Sequence, residues 1–168
     1  MKTCPNPNCK TTGIPDEAKF CPVCGNVLET YSEITPRFIY KRVLYYMDNE
    51  AMHQCEVRIC SNRIWFKPDD NAYARVIKYS DITNIGILKG ANFPYKLCIR
   101  TQNGCLHHFL GEHRYEVSSL EFVKKIAYII EYYRRLLLNL IPVGGFANSE
   151  ESIASISNEN LIDFYNSL

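Results

Sequence analysis

The chain has 168 residues, of which 46% are hydrophobic and 22% charged, and a formal net charge of +1. That length allows one ordinary domain plus a small extra module, and that balance belongs to a globular chain rather than a disordered or fibrous one. A charge so near zero gives no global drive toward nucleic acid or membrane. The greasiest run, Ile126 to Ile141, contains Glu131, Arg134 and Arg135 and is shorter than the roughly 20 residues a spanning helix needs.

The charge is unevenly spread. Residues 1–30 carry three Lys/Arg against three Asp/Glu, residues 31–141 sixteen against eleven, and residues 142–168 four acids with no Lys or Arg. Met1-Lys2-Thr3-Cys4-Pro5 has no apolar run behind it of the kind a secretory signal needs, so a cytoplasmic chain is expected. In a reducing compartment, clustered cysteines read as metal ligands before they read as disulfides.

Four of the eight cysteines fall in the first 24 residues. Cys21-Pro22-Val23-Cys24-Gly25 is a knuckle: Pro22 presets its own φ, and Gly25 permits φ > 0 where the chain curls past a metal. Cys4-Pro5-Asn6-Pro7-Asn8-Cys9 is a wider loop, rich in turn-forming residues. The eleven residues from Lys10 to Phe20 have room for a short hairpin. Two close Cys pairs supply the four tetrahedral ligands of a structural zinc site, and four thiolates leave no open position for catalysis. A pair of redox dithiols is the competing reading, but the βαβ context of a thioredoxin-like site is missing. The segment CPNPNC…AKFCPVCG, about residues 3–28, resembles the short zinc ribbon at the N-terminus of many bacterial proteins, with the wider first loop as its departure. That resemblance implies one structural Zn²⁺ on Cys4, Cys9, Cys21 and Cys24. A module this small cannot bury enough apolar surface to fold alone, so the metal is its core.

Residues 30–36, ending in Pro36, read as a linker after a ribbon of residues 1–29. Short strands follow. Arg42 to Met47 is the first, with a turn at Asp48-Asn49-Glu50. His53 to Cys60 alternates, Cys55, Val57 and Ile59 facing one way and Gln54, Glu56 and Arg58 the other. Ile64-Trp65-Phe66, Ala74 to Tyr79 and Asp81 to Leu88 come next. Lys96 to Thr101 passes through Gln102-Asn103-Gly104 into Cys105 to Leu110, and Asn-Gly is the strongest short hairpin signal in the chain. From Val117 the period changes to steps of three and four, through Leu120, Val123, Ile126, Ile130, Tyr133, Leu137 and Leu140, the stripe of an amphipathic helix. Glu116, Ser118 and Ser119 start it, and Pro142 with Gly144-Gly145 stops it. Seven strands and one helix predict a mainly β fold with α: a curled antiparallel sheet or barrel whose open end or face the helix covers.

That order, with Val57 to Phe66, Tyr79 to Ile85 and Ile99 to Gly104, resembles the pleckstrin-homology-like (PH-like) superfold in its GRAM-type branch, over residues 37–141. The resemblance implies binding of phospholipid headgroups or protein segments, without catalysis. Phosphoinositide-binding members use a basic first hairpin. Here Lys41 and Arg42 precede the first strand, but the turn carries Asp48 and Glu50, and Arg58 has Glu56 two residues before it. Acids at that mouth oppose anion capture. Arg63 reads as a turn residue whose guanidinium caps nearby carbonyls. Cys55, Cys60, Cys98 and Cys105 read as small buried hydrophobes rather than a second metal site. His107 and His108 are adjacent on a strand and point to opposite faces, so with His113 they do not make a metal site or a catalytic base. Tyr128, Tyr132 and Tyr133 with Arg134-Arg135 suggest a tyrosine-rich, cationic outer helix face, against the alternative that Tyr133 belongs to the core.

Residues 142–168 form an acidic Ser/Asn-rich tail. Ser149-Glu150-Glu151 would cap a short helix there, with Leu161, Phe164, Tyr165 and Leu168 as its weak apolar face. Opposite charges suggest that the tail docks on the preceding domain. The sequence therefore points to a non-enzymatic zinc-binding adaptor for an unidentified protein partner. Peripheral binding to anionic lipid headgroups is the alternative. Nucleic-acid binding is disfavoured by the ribbon's balanced charge and the added negative charge of a Cys₄ site.

Overall fold

A computed structural model describes residues 1–4, 6, 8–16, 18, 20–26, 28, 36–48, 50–69, 74–89, 94–112, 115–138, 143–150 and 153–168. Apart from Pro36, the expected linker lies outside the described residues, as do His113, Leu140 and Pro142. Behind the cysteine segment come β1 (Phe38–Met47), β2 (His53–Ile59), β3 (Arg63–Pro68), β4 (Arg75–Lys78), a 3₁₀ turn (Tyr79–Asp81), β5 (Ile82–Lys89), β6 (Tyr95–Thr101), β7 (Leu106–Leu110), α1 (Glu116–Leu137) and α2 (Asn158–Asn166). The strands form one antiparallel sheet in the order β4-β3-β2-β1-β7-β6-β5.

The alternation in the sequence becomes the inner face of the sheet. Cys55, Val57, Ile59, Ile64, Phe66, Ile77, Ile85, Ile87, Leu97, Ile99 and Phe109 are all buried in one core with α1. β1 begins four residues earlier than its pattern suggests, because a bulge between Tyr40 and Val43 breaks the alternation. Arg42 takes φ 61° there. The extra residue resets the parity, so that Phe38 and Tyr40 before the bulge and Val43, Tyr45 and Met47 after it all pack on the core. At the β6–β7 turn, Gly104 takes φ 85° as the Asn-Gly signal requires, and Asn103 Oδ1 accepts from the Cys105 N–H at 3.1 Å.

The sheet stays open, which corrects the expectation of a curled sheet or barrel. β4 and β5 follow each other in the chain but lie at opposite edges. The 3₁₀ turn between them redirects the chain instead of folding it back: Tyr79 is fully buried and donates its hydroxyl to the Cys60 carbonyl at 2.6 Å. The β5 edge is covered by the tail. Gly144 N–H donates to Thr83 O at 2.9 Å, Ile85 N–H to Gly144 O at 3.0 Å, and Glu150 N–H to Ile87 O at 2.7 Å. Two glycines make this approach possible. A Cβ on Gly144 would sit 2.8 Å from the Thr83 carbonyl oxygen, and one on Gly86 would sit 2.6 Å from Ser149 Oγ and 2.9 Å from the Phe146 ring.

α1 packs on β5, β6 and β7 through Val123, Ile126, Ala127, Ile129, Ile130 and Tyr133. Within the predicted stripe, Val117 and Leu137 are exposed. Ser119 is buried near the helix start, where its hydroxyl accepts from the Tyr95 N–H at 3.1 Å and so ties α1 to β6. The expected cationic outer face is not outside: Glu131, Arg134 and Arg135 are only 0%, 2% and 4% exposed. Glu131 accepts from both arginines, at 2.8 Å from Arg134 Nε and 2.7 Å from Arg135 Nε. Arg135 continues to the Ile153, Ala154 and Ile156 carbonyls and to Asn158 Oδ1. The tail covers this side of α1. Tyr132 stacks on Tyr165 at 3.9 Å, Tyr128 meets Phe164 edge-on, and Tyr133 shares a hydrogen bond with Tyr165. Tyr133 is therefore a core residue. α2 is capped by Ser157, whose hydroxyl accepts from the Asn160 N–H at 3.1 Å, and not by Ser149. The tail docks through aromatic packing and Arg135 rather than through a general attraction of opposite charges.

A buried carboxylate between two guanidiniums is costly to remove, because it leaves unpaired charge in the interior. Glu131→Ala should lower the unfolding free energy by about 3–5 kcal/mol, read from urea melts against the native chain.

Candidate metal centre

The ribbon begins as a tight pair of chain segments. Lys2 N–H donates to Ile14 O at 2.7 Å, Ile14 N–H to Lys2 O at 3.1 Å, and Cys4 N–H to Thr11 O at 2.8 Å. The first Cys loop therefore forms the tip of a hairpin, whereas the spacing placed a hairpin between the two knuckles. Asn6 closes the wide loop. Its carbonyl accepts from the Cys9 and Lys10 N–H groups at 3.0 and 3.1 Å, and its side chain from the Asn8 N–H at 3.0 Å. Lys10 then leaves the loop with φ 53°. In the second knuckle, Gly25 takes φ 75° and its N–H donates to Cys21 O at 2.9 Å.

These turns bring all four Sγ atoms within 4.8 Å of one another. Cys4 and Cys24 lie 3.5 Å apart, and Cys9 and Cys21 3.8 Å. A tetrahedron of thiolates about 2.3 Å from a central zinc has edges of about 3.8 Å, so the donor set fits that ion. The four thiols make a single structural zinc-type site. Around it the module's own core is small: Cys4, Ile14 and Cys21 are buried, with Cys9, Ala18 and Leu28 beside them. Bound zinc would cross-link the two knuckles and supply the cohesion that this core lacks.

The thiols are not equivalent. Burial pushes Cys4 up to about 12. At Cys21 burial also pushes upward, but N–H donors of Cys24 and Val23 outweigh it and leave the thiol at about 6. Hydrogen bonds from Thr11 hold Cys9 below its ordinary value, and burial raises Cys24.

The ribbon is seated on the sheet. Phe20, just before Cys21, lies against two cross-strand neighbours, Arg63, 4.8 Å from its ring centroid, and Lys78, at 5.3 Å. It packs with Cys60, Trp65, Ala74 and Val76 on the outer side of β3 and β4. This explains why both faces of β3 are buried. Arg63, expected only to cap a turn, reaches Asn62 Oδ1 at 3.1 Å and also holds the ribbon's aromatic ring. Sequence reasoning missed this junction. Its signal was the non-alternating run Arg63-Ile64-Trp65-Phe66, apolar on both faces. Between the second knuckle, β4 and the Thr101–Asn103 turn lies a cleft of about 600 Å³, with Tyr45, Phe66, Arg75 and His107 among its lining residues.

Near the first hairpin Lys41 is exposed, and three arginines are engaged with carboxylates. Arg42 pairs with Glu112 at 3.1 Å, Arg75 with Glu50 at 3.4 Å, and Arg58 with Glu56 at 3.2 Å while lying over Trp65. His107 and His108 point to opposite faces as expected. His107 shares a 2.8 Å hydrogen bond with the Tyr45 hydroxyl, and burial beside Arg75 pushes it down to about 4. His108 Nε2 meets Asp48 Oδ1 at 2.8 Å, and its Nδ1 lies 3.4 Å from Cys98 Sγ. This chain of thiol, imidazole and carboxylate has the order of a nucleophile with its base. Cys98, however, is 1% exposed and burial raises it to about 11, so this structure gives the thiol neither access nor ionisation. Cys55, Cys60 and Cys98 are buried and Cys105 half-buried. Among the described residues the four ribbon cysteines form the one metal-competent cluster, and no described helix is long and apolar enough to cross a membrane.

No protein-family model matches this chain, and no curated protein matches it. Solved structures do resemble it. A chain of the 8S snRNP assembly intermediate is 12% identical with a TM-score of 0.51, over 70% of this chain and 95% of that one. The hSac2 domain of the human phosphoinositide phosphatase Sac2 is 10% identical with a TM-score of 0.47, over 72% and 86%. A chain of the Spt16D–Pob3N heterodimer is 13% identical with a TM-score of 0.46, over 67% and 55%. At 12% identity the first likeness is one of fold alone.

Two measurements check the centre. Zinc must displace protons from the raised Cys4 and Cys24 thiols, so affinity should fall by about tenfold per pH unit for each proton displaced as the pH drops from 8 toward 6. Competition with a chromophoric chelator reads this directly. Trp65 is the single tryptophan and is 2% exposed beneath the ribbon. Chelating the zinc should shift its emission to the red as Phe20 leaves, and Phe20→Ala should give the same shift with the metal still bound.

Proposed function

We propose that this protein is a non-enzymatic, zinc-stapled adaptor that recognises a protein partner, with a PH-like β-domain and the ribbon acting as one surface. The observation that carries this reading is the seating of Phe20 against Arg63 and Lys78. The ribbon is joined to the sheet by side-chain contacts and borders a cleft at the junction. A metal that only cross-links its own module serves the whole chain by holding that module in place. The strand order ending in a helix favours a PH-like domain, and the four-thiol module favours a bacterial-type zinc ribbon.

Headgroup binding is the weaker reading. Asp48 and Glu50 stand at the first turn, and Arg42, Arg58 and Arg75 are each paired with a carboxylate. An anion would have to displace those partners before it gained their charge. Catalysis is disfavoured because the Cys98 thiol and the His108 imidazole of the thiol–imidazole–carboxylate chain are buried.

The test is affinity capture from native lysate with the full chain and with Phe20→Ala, beside flotation on phosphatidylserine-rich vesicles at low salt. A specific protein retained by the native chain and lost with Phe20→Ala is the expected result. Retention on vesicles without a specific protein would overturn the adaptor reading.

A further inference from the structure

We propose that the outer edge of β4 is a docking strand: an extended segment of a protein partner adds to the sheet there, inside the cleft facing the second knuckle. This rests on the adaptor reading above and gives it a place and a chemistry. An open sheet has two edges, and the two are treated differently. The β5 edge is satisfied by the chain's own tail through Gly144 and Glu150. On β4, no described strand pairs with the side away from β3. Natural sheets usually cover, shorten or charge such an edge, because its row of N–H and C=O groups invites another strand; β4 is only four residues long, but its two cations are drawn away to Glu50 and to the Phe20 ring. Here that edge borders a cleft of about 600 Å³, with Pro22 and Val23 on the ribbon side and Gln102 and Asn103 at one end. That size lies within the range of binding pockets.

The chemistry of the cleft selects a peptide. Ile77 is buried in the core, Val76 packs with Trp65, and Lys78 lies over Phe20. Arg75 pairs with Glu50 and lies over Tyr45, so all four β4 side chains are engaged, and what the strand offers along its edge is main chain. Alternating donors and acceptors at strand spacing are matched by another extended polypeptide and by little else. Ionised side chains along the cleft cancel, Arg75 and Lys78 standing against Glu50 and Asp81, and Cys21 and Cys24 of the four-thiolate site add net negative charge once zinc is bound. That sign gives a phosphate nothing to hold, and it does not oppose a neutral backbone. The far end is firm, since Gln102 N–H donates to Asp81 O at 2.8 Å and its side chain to Ser80 O at 3.1 Å.

The experiment pans a random peptide library against the full chain with zinc present, then maps the tightest synthetic peptide by amide hydrogen exchange. Binding should slow exchange at β4 amides. N-methylating backbone nitrogens of the peptide one at a time should give a two-residue alternation, each sensitive position weakening binding by about fivefold, roughly the loss of one hydrogen bond. Affinity indifferent to N-methylation at every position would overturn strand addition. Protection confined to α1, α2 or the first hairpin would overturn the β4 placement while leaving the adaptor reading intact. Failure to retain any peptide, together with retention of the chain on phosphatidylserine vesicles, would overturn both.

Discussion

An antiparallel sheet that does not close carries two rows of backbone groups with no strand beside them, and much of this molecule is arranged around that constraint. The chain meets it at the β5 edge with its own tail, hydrogen-bonded at Gly144 and Glu150. That contact fixes where residues 143–150 run. Their course in turn brings Ile153 into the core and α2 against α1. Gly86 and Gly144 are part of the same solution, since a side chain at either would collide with the covering segment. At the other edge the ribbon stands nearby, no described strand pairs with the outer side of β4, and a cleft remains.

Arg135 shows how the covering is locked. A guanidinium has five donors in a fixed fork, and this one spreads them between Glu131 on its own helix and carbonyls of the tail. A buried ion pair is weak evidence for stability by itself, because desolvation offsets much of the attraction. Its value here is specificity. A tail that left those donors without acceptors would bury unsatisfied charge, so α2 has one favourable position on the aromatic face of Tyr128, Tyr132 and Tyr133. The ribbon uses the same economy of contact through Phe20, held against two cations and packed with Trp65.

Local features of the chain were legible to the extent that they depend on local geometry. Two-residue alternation marks β2, short apolar runs between turn residues mark β3 to β7, Asn103-Gly104 marks the tightest hairpin, and the two Cys pairs name the metal ligands. β1 was read short because the bulge at Lys41-Arg42 breaks the period that marks a strand. The cap of α2 was placed at Ser149 because a Ser followed by Glu is a capping signal in isolation. Ser149 instead lies against Gly86, and Ser157 caps the helix.

The sequence alone determined which residues are strand, helix and metal ligand, since period, turn chemistry and thiol spacing act over a few residues. Only the tertiary structure decided which polar residues are inside. Arg134 and Arg135 on a helix ending in LLL look like a solvated face until a tail some 20 residues on is laid over them. Arg63 looks like a turn residue until a ring 43 positions earlier stacks on it. Cys98 and His108, in the middle of β6 and β7, and Asp48, just past the end of β1, are brought together only by sheet register. Burial is a property of whatever packs from a distance, and no local period carries it.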